Sequence, residues 1–204
     1  DDGGVLHPVR HEQRFPRLGR DVDGNKVIQT AAFDRIGWVL KEYKDLSVQL
    51  RADRIIAVAT SAVRDAGNRK EFLSFVRSTT GIAVEILSGE EEAQLSYRGA
   101  LSGIHPTPAN AAVIDIGGGS TEMSFFPHAA LAGTPLRQQS LQLGSVRLTE
   151  RCFNHNPPTD CEIDAARRLI QNEWKSVGGL GNGNHTLVGV AGTVTTIACL
   201  DQGL

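Results

Sequence analysis

Cysteine is scarce in this sequence. Cys152, Cys161 and Cys199 are odd in number and lack the paired spacing of a metal site, so neither a disulfide framework nor a zinc module organises the chain. Reduced, partly buried thiols of a cytoplasmic protein are the expectation. Net charge is also slight, at −2. No global basic field exists to attract nucleic acid or a membrane surface, and neither partner is expected. No apolar run approaches the roughly 18 residues that span a bilayer, no signal peptide is visible, and no short-period repeat appears. The chain opens on Asp1 rather than Met and stops at Leu204, which reads as a fragment.

What remains is ordinary globular material: 204 residues, 40% hydrophobic and 22% charged, enough for one large domain or two small ones. A chain of this size can bury its own core. Val5 to Leu18 reads as a strand and then loop, broken by Pro8 and Pro16. Asp21 to Asn25 carries turn chemistry. Phe33, Ile36, Leu40, Tyr43 and Leu50 recur at helical spacing. Ile55 to Ala59 is a continuous apolar run, as in a buried parallel strand, and Thr60 to Ala66 reads as a loop. Asn68 is a candidate cap for a helix with Phe72, Phe75 and Val76 inward, stopped by Gly81.

Ala83 to Leu87 reads as a strand. A helix then starts at Ser88-Gly-Glu-Glu-Glu92, with Ser88 and Glu91 at capping-box spacing and Ala93, Tyr97 and Ala100 on its apolar side. His105 to Asn110 is a Pro-rich connector, and a domain boundary is placed there, with domains over 1–109 and 110–204. Beyond it come a buried strand, Ala111 to Ile116, a turn at Gly117–Gly119, and a half-exposed strand in which Met123 and Phe125 alternate with Glu122 and Ser124. Arg137 to Leu143 is a further strand and Val146 to Phe153 a short helix. Ile163, Ala166, Ile170, Trp174 and Val177 mark a second long helix, Gly178 to Asn184 a loop, and Leu187 to Val190 a strand ahead of a helix opened by Gly192-Thr193. Helices alternating with short buried strands predict an α/β fold.

The sharpest chemical signal is Ile114-Asp-Ile-Gly-Gly-Gly-Ser-Thr-Glu122. A phosphate needs several donors converging on one point. Consecutive glycines allow backbone amides to form a concave nest, and Ser120 and Thr121 add hydroxyls. An aspartate beside a phosphate makes sense with a cation between them, since Mg²⁺ commonly takes one or two carboxylates plus phosphate oxygens. The plain alternative is a Gly-rich hairpin turn. A P-loop is excluded because no Lys-Ser/Thr pair and helix follow the glycines; a dinucleotide fingerprint likewise opens a helix. A hairpin loop with Asp points to the actin, sugar-kinase and heat-shock-ATPase superfamily. Glu90, Glu91 and Glu92 suit a helix N-terminus electrostatically, and one of them could orient an attacking water.

Five ordered segments resemble the exopolyphosphatase / guanosine pentaphosphate phosphohydrolase (Ppx/GppA) family. They are Ala59-Thr-Ser-Ala-Val-Arg-Asp-Ala66, Ser88-Gly-Glu-Glu-Glu-Ala93, Val113 to Glu122, Ser140 to Glu150, and Val188-Gly-Val-Ala-Gly-Thr-Val-Thr-Thr196. The resemblance implies an actin-like, ribonuclease H-like two-domain fold with both domains incomplete, hydrolysis of a terminal phosphoanhydride of polyphosphate or guanosine pentaphosphate, Mg²⁺, and a possible homodimer. By position it implies Glu92 as the base for water and Glu122 as its assistant. It makes Asp115 the Mg²⁺ ligand, and Gly117, Gly118, Gly119, Ser120, Arg64, Arg147, Gly192 and Thr193 phosphate contacts. For Arg64 and Arg147 a structural ion pair is the alternative, and for Gly192-Thr193 a simple helix cap. The family's opening Asp-x-Gly-Ser/Thr-Asn-Ser loop has no counterpart, and Asp1 to Leu6 resembles the family's segment just C-terminal to that loop; a chain of this extent is expected to be impaired where the intact protein is an enzyme. Two other functions fit less well: an ATP-dependent small-molecule kinase, disfavoured by the Gly-Glu-Glu-Glu-Ala segment, and a non-catalytic polyphosphate or alarmone sensor, disfavoured by Glu92 and Asp115.

Overall fold

The computed structural model describes residues 7–108, 110–125, 136–178 and 185–204. The chain divides into two compact units between Ser88 and Gly89, ahead of the connector where composition places a domain boundary. Helix α5 (Gly89–Ser102) accounts for the difference, because it packs on the strands C-terminal to it.

The unit ending at Ser88 holds α1 (Val22–Asn25), α2 (Thr30–Gln49), β1 (Ala57–Ala59), α3 (Ser61–Arg64), α4 (Arg69–Thr80) and β2 (Val84–Ile86). Residues 7–17 form neither helix nor strand, so no strand is seen in the described part of the opening segment. The Asp21–Asn25 turn closes into α1 between two left-handed residues, Asp21 and Lys26. The spacing of apolar residues over 33–43 does produce α2, with Leu50 just past its end. Phe33 meets Phe72 edge-on at 5.2 Å, and Val22, Ile28, Val63 and Val76 fill the core around them.

The structure corrects several local expectations in this unit. Thr60 to Ala66 is not a plain loop but contains α3. Asn68 sits at the N-cap of α4 without capping it. Its side-chain oxygen accepts from the Ile28 amide at 2.9 Å and its amide donates to the Ile28 carbonyl at 3.0 Å, so the side chain is spent on the chain entering α2. Gly81 ends α4 in the left-handed region as expected, at φ 75°. β1 and β2 pair in parallel, in keeping with the parallel strand expected at Ile55 to Ala59. The apolar run is not fully buried, however: Ile56 is 72% exposed and Val58 47%, because β1 pairs only with β2 among the described residues.

The second unit is built on a four-stranded mixed sheet in the order β5-β4-β3-β6. Its strands are β3 (Ala111–Ile116), β4 (Thr121–Phe125), β5 (Arg137–Leu141) and β6 (Thr186–Val190). β4 runs antiparallel to β3 and β5, while β6 lies parallel to β3. Around them stand α5, α6 (Ser145–Cys152), α7 (Asp160–Trp174) and α8 (Ala191–Gln202). α7 starts on a capping box that links Thr159 and Glu162. β4 departs from the predicted half-exposed strand, since all five residues are buried. α5 covers its polar side, where the Ser124 hydroxyl donates to the Ala93 carbonyl at 2.9 Å. Cys161 and Cys199 are exposed rather than partly buried, and Cys152 is half-buried. The expected loop at 178–184 lies outside the described residues apart from Gly178. Among the described residues no helix is long and apolar enough to cross a membrane.

Candidate active site

The acidic end of the central hairpin is set by strand register. Asp115 on β3 lies directly opposite Glu122 on β4, and Glu122 lies opposite Ser140 on β5. Residues opposed in this way project from the same face of a sheet. The Ser140 hydroxyl donates to Glu122 Oε1 at 2.7 Å. α5 lies over this face. Gly89, Glu92, Ala93 and Ser96 fall at i, i+3, i+4 and i+7, one side of a helix, and Ala93 is buried. The Ser96 hydroxyl donates to Asp115 Oδ2 at 2.5 Å. Gly89 packs so closely that a Cβ there would stand 2.4 Å from Ser140 Cβ. Of the three successive glutamates, Glu90 and Glu91 are exposed and Glu92 alone is half-buried. The helical period thus selects one carboxylate from the acidic run.

These carboxylates feel one another. Glu122 is 2% exposed, and its carboxyl is pushed from 4.5 up to about 7. Burial is the main cause; the Ser140 and Ser120 hydroxyls pull the other way, while the charges of Glu92 and Asp115 push further up. Among the described residues no group of three or more His, Cys, Asp or Glu side chains is placed to cage a metal. Paired oxygen donors with an unrelieved charge nevertheless suit a hard cation that draws its other ligands from phosphate and water. Asp115 and Glu122 are the oxygen donors that could hold Mg²⁺ in that open manner.

The glycine turn is held from behind. The Gly117 carbonyl accepts from the Ser145 amide at 3.0 Å, and the Gly118 carbonyl from the Val146 and Arg147 amides at 2.9 and 3.0 Å. The Gly119 carbonyl accepts from Arg147 Nε at 2.5 Å. These acceptors take up the first amides of α6, which a helix otherwise leaves without partners. None of the three glycines is left-handed. Gly118 is closely approached, since a Cβ on it would stand 3.2 Å from Val146 Cγ2. Gly144 shares this requirement, because a Cβ on it would sit 2.4 Å from the Gly118 carbonyl. The Thr121 hydroxyl donates to the Leu143 carbonyl at 2.8 Å, tying the same two segments.

The structure brings most of the sequence-selected residues to one sheet end. β6 runs beside β3 with Val190 level with Asp115, so Gly192 and Thr193 in the first turn of α8 start next to that aspartate. Ala191, which makes the turn between them, is left-handed at φ 70°. Arg147 is buried, with its Nε committed to the loop. Arg64 belongs to the other unit, where its Nη1 donates to the Leu87 carbonyl at 2.8 Å. Sequence reasoning gave no role to Ser96, Ser140, Gly89 or Gly144, although the last three lie within the family-like segments. Ser96 was findable as the residue one helical turn after Glu92, whereas the other three depend on which segments meet.

Most of the chain is matched by known proteins. The Ppx/GppA phosphatase family profile matches residues 1–203. Exopolyphosphatase 2 of Mycobacterium tuberculosis is 38% identical over 208 residues, covering 98% of this chain and 64% of that protein. The guanosine-5'-triphosphate,3'-diphosphate pyrophosphatase of Aeromonas hydrophila is 32% identical over 199 residues, 95% of this chain and 38% of that protein. Among solved structures, an exopolyphosphatase-like protein superposes with a TM-score of 0.86 at 36% identity, covering 94% of this chain and 60% of the other. The chain therefore spans less than two thirds of the length of these relatives.

Proposed function

The chain belongs to the Ppx/GppA phosphatase family and has its actin-like α/β fold, and on that premise we propose that the whole protein hydrolyses the terminal phosphoanhydride bond of inorganic polyphosphate or guanosine pentaphosphate. The observation that carries this reading is the convergence of Glu92, Asp115 and Glu122 at the sheet end next to the glycine turn. In-line attack on a phosphoryl group needs a positioned water and a means of spreading negative charge. Glu92 is the residue for the water: it is the half-buried member of its acidic run, and its charge is felt at Glu122. It would orient the nucleophile and accept its proton. Glu122, held by the Ser140 and Ser120 hydroxyls, would steady the same water from the sheet side.

Asp115, fixed by Ser96, would hold Mg²⁺ with Glu122 near it. Bound there, the ion would neutralise phosphate oxygens and the developing charge. The glycine-turn amides and the Ser120 hydroxyl would hold the terminal phosphate, with Gly192 and Thr193 at the start of α8 as a second anion contact.

The test is phosphate release by the full-length protein from polyphosphate and from guanosine pentaphosphate, each with Mg²⁺ and with EDTA. Mg²⁺-dependent release from at least one substrate is expected. ATP-dependent phosphorylation of an acceptor without release to water would overturn the reading.

A further inference from the structure

We propose that Arg147 is a positioning residue that aims the glycine turn, holding its carbonyl edge back so that its amide edge faces an anion. The inference rests on the phosphate-loop reading above and adds to it the device that orients the loop.

A trans peptide unit carries its C=O and the following N–H on opposite sides. The peptides of the turn are trans. The carbonyls of Gly117, Gly118 and Gly119 all point toward α6, the first two onto its opening amides and the third onto Arg147 Nε. The amides of Gly118, Gly119 and Ser120 must therefore point the other way. Gly118 is exposed. Three successive amides aligned by restraint of their carbonyls make a donor row without the left-handed residues of a nest.

The restraint is uneven. Helix backbone anchors the first two carbonyls and moves only with α6. The third depends on one side chain, and that carbonyl shares its peptide unit with the Ser120 amide. Arg147 is well suited to that task. It is 6% exposed, so water does not compete for its hydrogen bond, and a charged donor makes a stronger bond than a neutral one. Gly144 supplies the complementary condition, since any side chain there would strike the Gly118 carbonyl.

The experiment uses amide NMR of the full-length protein, titrated with inorganic phosphate, for wild type, Arg147→Ala and Gly144→Ala. In the wild type, phosphate should shift the Gly118, Gly119 and Ser120 amide signals. Before any ligand is added, Arg147→Ala should already displace the Gly119 and Ser120 signals. Its phosphate affinity should fall about tenfold, the scale of one charged hydrogen bond. Gly144→Ala reaches the loop by another route and should displace the Gly118 and Gly119 signals, which keeps the proposal testable if Arg147→Ala does not fold. Weaker phosphate binding by Arg147→Ala with unmoved loop signals would make Arg147 a direct ligand and overturn the positioning role. Unchanged affinity would overturn it too. A wild-type loop whose signals ignore phosphate would defeat the phosphate-loop reading itself, which is a separate outcome from either of these.

Discussion

Asp115 and Glu122 stand directly opposite each other on β3 and β4, one rung below the glycine turn. Burial of Glu122 costs its charged form most, and the charges of Glu92 and then Asp115 add to that. The result is a carboxyl held up at about 7 on Glu122. Sites that perform chemistry are where such an arrangement is tolerated.

Glu92→Gln removes the base but keeps the side chain's shape. We expect kcat for phosphate release to fall by roughly 10²–10⁴-fold, with KM changed by no more than a few-fold. Initial-rate kinetics on the full-length protein check this, and a wild-type kcat would remove Glu92 from the mechanism.

Glu122→Gln should stabilise the fold at alkaline pH. A carboxyl raised from 4.5 to about 7 binds a proton in the folded state that the unfolded chain has already lost, so stability declines as pH rises through that window. Gln keeps an acceptor for Ser140 and carries no charge. The variant should therefore melt higher than wild type at pH 8 and flatten the decline between pH 4.5 and 7. The difference should be on the order of 2–3 kcal/mol at most. Melting curves in EDTA at pH 4.5 and 8 measure it; equal pH slopes for the two proteins would contradict it.

Gly89→Ala places a methyl 2.4 Å from Ser140 Cβ. α5 must then lift from β5, at a cost of about 1–3 kcal/mol. Glu92 moves with the helix, so kcat should fall together with stability. Combining it with Ser140→Gly, which vacates the contact, should recover a large part of the stability loss.

Glu162 at the start of α7 is held down to about 2 by the Thr159 amide first, then by His155 and the Asn154 amide. A depressed carboxyl contributes stability that is present above its unfolded value and is lost as pH falls from about 4.5 toward 2. Glu162→Gln should lower resistance to denaturant at pH 7 while matching wild type near pH 2. Urea unfolding at both pH values tests the sign.

Legibility follows the range of the interaction. The α2 and α4 helices, the Gly81 stop and the β3–turn–β4 hairpin are readable because periodicity and turn chemistry act over a few residues. Asn68 reads as a cap in sequence because its actual partner, Ile28, is far away in the chain. β4 reads as half-exposed because alternation of polar and apolar residues ordinarily means a wet face. In the folded protein α5 covers that polar face, and its polar groups are satisfied there. The glycine run reads as a place of close backbone approach, but which segments approach Gly118 (Gly144 and the start of α6) is decided by packing.

The sequence by itself determined the chemical inventory. An aspartate stands ahead of three glycines, a glutamate comes after them, and an acidic run opens a helix. That order alone resembles one family. Tertiary structure decided how the inventory is used. Only strand register opposes Asp115 to Glu122, only the docking of α5 turns Glu92 rather than Glu90 or Glu91 inward, and only the approach of α6 captures the loop carbonyls. Register and docking depend on the packing of segments distant in the chain, and a local pattern of residues carries no record of it.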